Sequence, residues 1–163
     1  MSSEVSSDVS SDHRPGRLAQ ARWEADRHAA VLTDALASWA ALPTVPDLAA
    51  VESDKALRAQ TDQILFRFTK LQDTMGERLV AATLDALAEP FESWPMRDRL
   101  DRLEKLGYLD VNDWLAWRGL RNRLAHEYPE APELRYAQLM AALAGANGLL
   151  AAYRHWAAML PAG

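Results

Sequence analysis

The sequence predicts an all-α protein, an antiparallel helical bundle of about five to six helices, and three observations lead there. Ala, Leu, Arg and Glu dominate while β-branched residues are sparse, a balance that favours helix. Apolar residues recur at steps of three and four along most of the chain. Prolines at 43, 46, 90, 129 and 132 cut this pattern into pieces joined by short connections, and sequential helices with short joints pack as antiparallel neighbours.

Taken in order, the first helix is expected from Arg17 to about Ala41, with Leu18, Ala21, Ala25, Val31, Leu32, Leu36 and Trp39 at helical spacing. Pro43 and Pro46 then make a turn. A second helix starts at Asp47 or Glu52 and runs to Thr74, with Leu57, Ile64, Phe68 and Leu71 on one stripe. Gly76 either kinks it or begins a third helix, which continues through Leu79, Leu84 and Leu87 before Pro90. Ser93 is the expected N-cap of a short helix ending at Leu106, with Gly107 as its stop. The next helix starts near Asp110 or Asn112 and should end at about Glu127, because Pro129 disfavours helix at the residue before it. Pro132 opens a long final helix to about Leu160.

A chain of 163 residues is too short for two well-packed domains, and a domain this size buries roughly two-thirds of its unfolded surface. Residues 1–15, rich in Ser and Asp, read as a disordered tail without the features of a signal peptide, and 16–163 as the helical domain. There are no cysteines, which excludes disulfides and a thiol nucleophile and agrees with a cytoplasmic location. No apolar run approaches the ~20 residues that span a bilayer. The net charge is −5, which argues against an extended surface for nucleic acid while leaving room for a small basic pocket. Most of the six tryptophans fall on apolar helical faces and are expected in the core or at a dimer contact.

The informative segment is Arg121-Asn122-Arg123-Leu124-Ala125-His126-Glu127-Tyr128. Trp117, Arg121, Leu124 and Tyr128 share one stripe of the expected helix, and Leu115, Gly119, Asn122 and His126 share the next. Gly119 costs ~1 kcal/mol in a helix interior relative to Ala, so a backbone or a substrate is expected close by. Asn122 and His126 are four apart, a spacing at which the amide can orient the imidazole. Arg118, Arg121 and Arg123 surround that one histidine with positive charge. A phosphate ester suits this combination, since guanidinium binds phosphate bidentately and histidine moves protons near neutral pH. Arg121 and His126 lie about 140° apart on an ideal helix, so fraying before Pro129, the reach of arginine, or a second copy across a dimer is needed to close a site.

These residues, Arg121, Asn122, His126 and Tyr128 near a helix end in a small all-α chain, resemble the motif of the HEPN superfamily. More narrowly, they resemble the HepT toxins paired with minimal nucleotidyltransferases. The stretch Arg67 to Gly76 also resembles the second helix of such proteins. The resemblance implies a homodimer whose Arg and His line a shared groove and cleave RNA without metal or cofactor, as the toxin of a type II or AMPylation-controlled toxin–antitoxin pair. It assigns His126 to general acid–base work on the ribose 2′-hydroxyl, Arg121 to the phosphate and Asn122 to positioning. Arg118 and Arg123 would help to bind substrate. It makes Tyr128 the residue that the partner nucleotidyltransferase modifies with AMP, adding charge that repels RNA. The alternative within the same family is a binding subunit that presents a nucleotide or other substrate to the nucleotidyltransferase without cleaving it.

Other patterns carry less. Arg22 and His28 satisfy a looser form of the motif, but Trp23 and Ala30 occupy its polar and tyrosine places, which makes it a chance match. Lys70 and Asp73 read as solvated or weakly paired. His126-Glu127 begins like a zinc-protease motif, yet Glu130 stands where its second His belongs, and no metal site is expected. Gly-rich phosphate loops and nucleophile elbows are absent from the sequence.

Overall fold

A computed structural model describes residues 16–126 and 128–162, and within them every regular element is helical. The tail assigned to 1–15 lies outside the described residues. In chain order the helices are α1 (Arg17–Ala40), α2 (Leu48–Ser53), α3 (Lys55–Thr74), α4 (Val80–Ala86), α5 (Met96–Lys105), α6 (Val111–Leu124) and α7 (Pro132–Met159). A π-helical turn, Met75–Leu79, joins α3 to α4 without a break, so these segments form one continuous rod. Counted as rods, the described residues make six.

Long helices α1, α3 and α7 pack against one another, and α6 lies across α3 and α7. Phe68, Leu71, Met75, Trp114 and Trp156 are fully or almost fully buried between them. The expected stripe of α1 is borne out at Ala21, Ala25, Leu32 and Leu36, and that of α3 at Ile64, Phe68 and Leu71. The tryptophans divide. Trp114 and Trp156 are core, Trp39, Trp94 and Trp117 are partly covered, and Trp23 stands 61% exposed. On the inner face of α7, a Cβ at Gly148 would sit 3.1 Å from the Trp117 ring, so the glycine lets α6 approach closely.

Four boundaries differ from the sequence reading. The second helix is two, because Asp54 leaves helical geometry and its carboxylate accepts from the amides of Ala56 and Leu57 at 2.8 and 3.1 Å. Such a cap contributes ~1 kcal/mol. Asp47 caps α2 in the same way through Ala50. The short helix begins at Met96 behind Pro95, whose fixed φ suits the entry to a helix, and Ser93 is not its cap. Gly76 does not start a separate helix; it lies inside the π turn, where a Cβ would come within 3.1 Å of Trp114. Finally, α6 ends at Leu124, three residues before the expected end.

Gly107 closes α5 as expected. Its φ is +86°, and the amides of Tyr108 and Gly107 bond back to the carbonyls of Leu103 and Glu104. The end of α4 uses the same pair of bonds, from Glu89 to Leu84 and from Ala88 to Asp85, but places alanine at φ +57°. A left-handed L-residue is strained by roughly 1–2 kcal/mol. Ala88→Gly is therefore expected to raise stability by up to ~1 kcal/mol, the unfolded-state entropy of glycine offsetting part of the relief. Urea denaturation with an unchanged slope checks this, and a lower midpoint would show that Ala88 is not strained.

Candidate functional site

Arg121 sits in the last turn of α6 and faces α3. Its Nε and Nη2 donate to Asp73 Oδ1 and Oδ2 at 2.8 and 3.0 Å, a two-point clamp between partly covered side chains. Its hydrogen bonds to Asp73 hold the Arg121 guanidinium above its ordinary pKa, against the opposing effect of burial. Asp73 was read from the sequence as solvated or weakly paired, and the structure corrects that. The contact spans 48 residues, a separation that helical spacing cannot reveal.

Beside the clamp lies a cavity of about 200 Å³ between α3, the π turn, α5 and α6. Arg118, Arg121 and Asn122 line it from α6 together with Trp114, and Gln72, Asp73 and Glu77 line it from the rod. Arg118 and Arg123 are exposed and form no salt bridge among the described residues.

His126 and Tyr128 lie elsewhere. Both follow the end of α6 and border a second cavity of about 530 Å³, with Leu124, Asp62, Arg135 and Gln138. His126 is exposed and Tyr128 half-buried. The loop is held by Arg135, whose Nη1 donates to the carbonyls of Tyr128 and Pro129 at 2.7 and 3.0 Å while its Nη2 reaches Glu52 at 2.8 Å. The helix ends at Leu124, so Asn122 stays on α6 while His126 lies beyond it. The expected Asn122–His126 bond is absent among the described residues, because the two side chains border different cavities. No other backbone of the described residues comes close to Gly119, where a Cβ would meet only Arg123 Nη1, at 3.4 Å.

The chain thus groups Arg118, Arg121 and Asn122 at one cavity beside α6 and His126 with Tyr128 at another. Sequence reasoning missed Asp73, Gln72 and Arg135, all brought in by tertiary contact. No cluster of three or more His, Asp or Glu placed to hold a metal occurs among the described residues.

The dismissed His28 has a partner too. Arg67 Nη1 donates to its Nδ1 at 2.9 Å, so that nitrogen is unprotonated. Burial, then the charges of Arg67 and Lys70, push the His28 pKa below its usual 6.5. With the folded value depressed, the unfolded chain binds the proton more readily, and stability falls as pH drops below about 6.5. Thermal unfolding from pH 7.5 to 5 should show a loss that His28→Gln reduces; equal profiles would rule the residue out as its source.

The fold is a small all-α bundle, and the residues singled out around the end of α6 border two separate cavities. Compared with protein-family models, with characterised proteins and with solved structures, the chain matches none. Among the described residues, no helix is long and apolar enough to cross a membrane.

Proposed function

We propose that the chain is a metal-independent endoribonuclease of the HEPN, HepT-like type, acting as the toxin of a pair whose antitoxin is a nucleotidyltransferase. The observation that carries the reading is the run Arg121-Asn122-x-x-x-His126-x-Tyr128 at the end of a helix in an all-helical bundle, with Arg118 and Arg123 exposed beside it. In the reaction, His126 takes the proton of a ribose 2′-hydroxyl, whose oxygen attacks the adjacent phosphorus. The P–O5′ bond breaks, the leaving oxygen takes up a proton, and a 2′,3′-cyclic phosphate remains. Arg121, already oriented by Asp73, stabilises charge developing on the phosphoryl oxygens, and a preorganised donor needs little rearrangement to do so.

Because Arg121 and His126 border different cavities of one protomer, the working site draws them from two copies paired across the end of α6. Tyr128, beside His126, is the residue the nucleotidyltransferase modifies with AMP from ATP. The test is cleavage of a labelled transfer RNA pool in EDTA by unmodified protein, with the new ends examined for cyclic phosphate. Tyr128→Phe should keep cleavage yet gain no AMP by intact mass when co-expressed with the nucleotidyltransferase. Absence of cleavage by unmodified wild type would sink the toxin reading.

One observation favours a second reading, a non-catalytic subunit that presents a substrate to the nucleotidyltransferase. Asp73 already neutralises the Arg121 charge, and an arginine so occupied binds a phosphate less strongly. That reading predicts nucleotide binding without cleavage.

A further inference from the structure

Trp23 on α1 and Phe66 on α3 are 61% and 51% exposed, and these two helices pack along each other. Scattered exposed apolar residues are ordinary, so the meaning of these two rings lies in their neighbours. Arg27 lies 5.8 Å from the centre of the Trp23 ring, and Arg67 and Lys70 lie 5.4 and 5.7 Å from that of Phe66. Arg67 also bonds to His28, the residue after Arg27. The six side chains therefore form one connected strip across the seam of α1 and α3. Both rings stay half open or more with the cations in place.

The charge of this strip is uncompensated. Arg27, Arg67 and Lys70 form no salt bridge among the described residues. Glu24, the carboxylate that bears on His28, is paired with Arg78. Arg67 Nε is sealed from solvent without a partner, and Arg67 Nη1 is bonded to an imidazole that brings no negative charge. Burial, then the charges of Arg67, Lys70 and Arg27, lower the pKa of His28 and keep it neutral at pH 7. Groups so placed are normally partnered, and here the missing partner is an anion.

An occupant that suits the strip is anionic and offers flat apolar faces. A single nucleic-acid strand has both, phosphates for the cations and bases for the rings. A duplex keeps the faces of its bases inside the stack, and an acidic peptide brings carboxylates without such faces. We propose that the seam of α1 and α3 is a track for single-stranded RNA, with bases stacked on Trp23 and Phe66 and phosphates held by Arg27, Arg67 and Lys70. Lys70 and Asp73 are neighbouring positions on α3, so the track leads to the Arg121 clamp. The choice of RNA rests on the ribonuclease reading, which the track deepens by making the substrate an unpaired strand.

The test is fluorescence anisotropy of the full-length protein with a labelled 2′-O-methyl oligouridine, which lacks the 2′-hydroxyl that cleavage requires. The same oligonucleotide in a duplex and a poly-glutamate chain are the comparisons. Trp23→Ala and Phe66→Ala should each weaken binding of the single strand by about fivefold or more, the contribution of one stacked base. Arg27→Gln with Lys70→Gln should lower the slope of log affinity against log salt by about 1.4. All four positions are exposed, and circular dichroism checks that the variants are folded. No binding, binding unchanged in both aromatic variants, or equal affinity for the duplex or for poly-glutamate would each overturn the track. Cleavage of transfer RNA in EDTA by the same preparations separates the two readings. Cleavage with oligouridine binding unchanged in the aromatic variants removes the track alone, and binding that depends on the rings without cleavage removes the ribonuclease alone.

Discussion

Arg121→Ala should lower RNA cleavage by ~10²–10³-fold, the usual cost of one preorganised charge-stabilising donor. His126→Ala should lower it by ~10²–10⁴-fold, the contribution of a positioned acid–base group. Neither variant should unfold the protein, since His126 is exposed and Arg121 partly so. The Arg121 variant carries a further consequence, because it leaves Asp73 without its partner. The vacated carboxylate then repels phosphate, so Arg121→Ala should also weaken RNA binding, whereas His126→Ala should leave binding nearly intact.

Mixing the two inactive variants tests where the site is assembled. If each site takes Arg121 from one copy and His126 from its partner, a mixed dimer contains one intact site. Random exchange makes about half of the dimers mixed, so up to about a quarter of wild-type activity should return. No recovery in a preparation shown by mass to contain mixed dimers would place both residues of a working site in one protomer, or require both copies of each. Persistence of cleavage in either single variant would remove that residue from the chemistry.

Trp156→Ala should destabilise the fold by ~3–5 kcal/mol, a large share of the ~5–15 kcal/mol that holds a typical domain together. Trp156 is 0% exposed, packs against Tyr108 with ring centres 6.0 Å apart, and donates its indole N–H to Thr83 Oγ1 at 3.0 Å. Removing it opens a cavity where α7 meets α4 and strands the buried Thr83 hydroxyl. Trp156→Phe keeps most of the volume and loses the hydrogen bond, so its loss should be distinctly smaller. Urea denaturation of the three proteins measures the order, and a Trp156→Ala cost below about 1 kcal/mol would mean that the contact between these helices is not a centre of stability.

Much of the bundle was legible because its punctuation is local. Pro43 and Pro46 end α1, Gly107 ends α5, and Pro132 opens α7, each through its own backbone chemistry. The misplaced ends show where local chemistry stops. Asp54 lies in a run compatible with continuous helix, and only its carboxylate bonds reveal a cap. The loop after the early end of α6 is held by Arg135, seven residues beyond Tyr128, a contact that the segment's own spacing does not reveal. For the candidate site, the sequence shows the reactive residue types and their helix. It does not show that Asp73 grips Arg121 or that Gln72 lies in the same cavity, since both come from a rod some fifty residues earlier. The division of the motif between two cavities likewise follows from where α6 ends.

The π turn at Met75–Leu79 has a consequence for how this chain tolerates length changes. A π turn takes in one residue more than the α-helical register needs, so it works as a phase shifter between two halves of a rod. Upstream, the phase points Asp73 at Arg121; downstream, it points Thr83 at Trp156. Deleting one residue from 75–79 would restore plain α-helix and rotate one half against the other by about 100°. Either the guanidinium clamp or the buried indole bond must then break, whichever half the bundle holds less firmly. The count of residues between Asp73 and Thr83 is therefore itself a structural element, one that ties the geometry around Arg121 to the packing of the core.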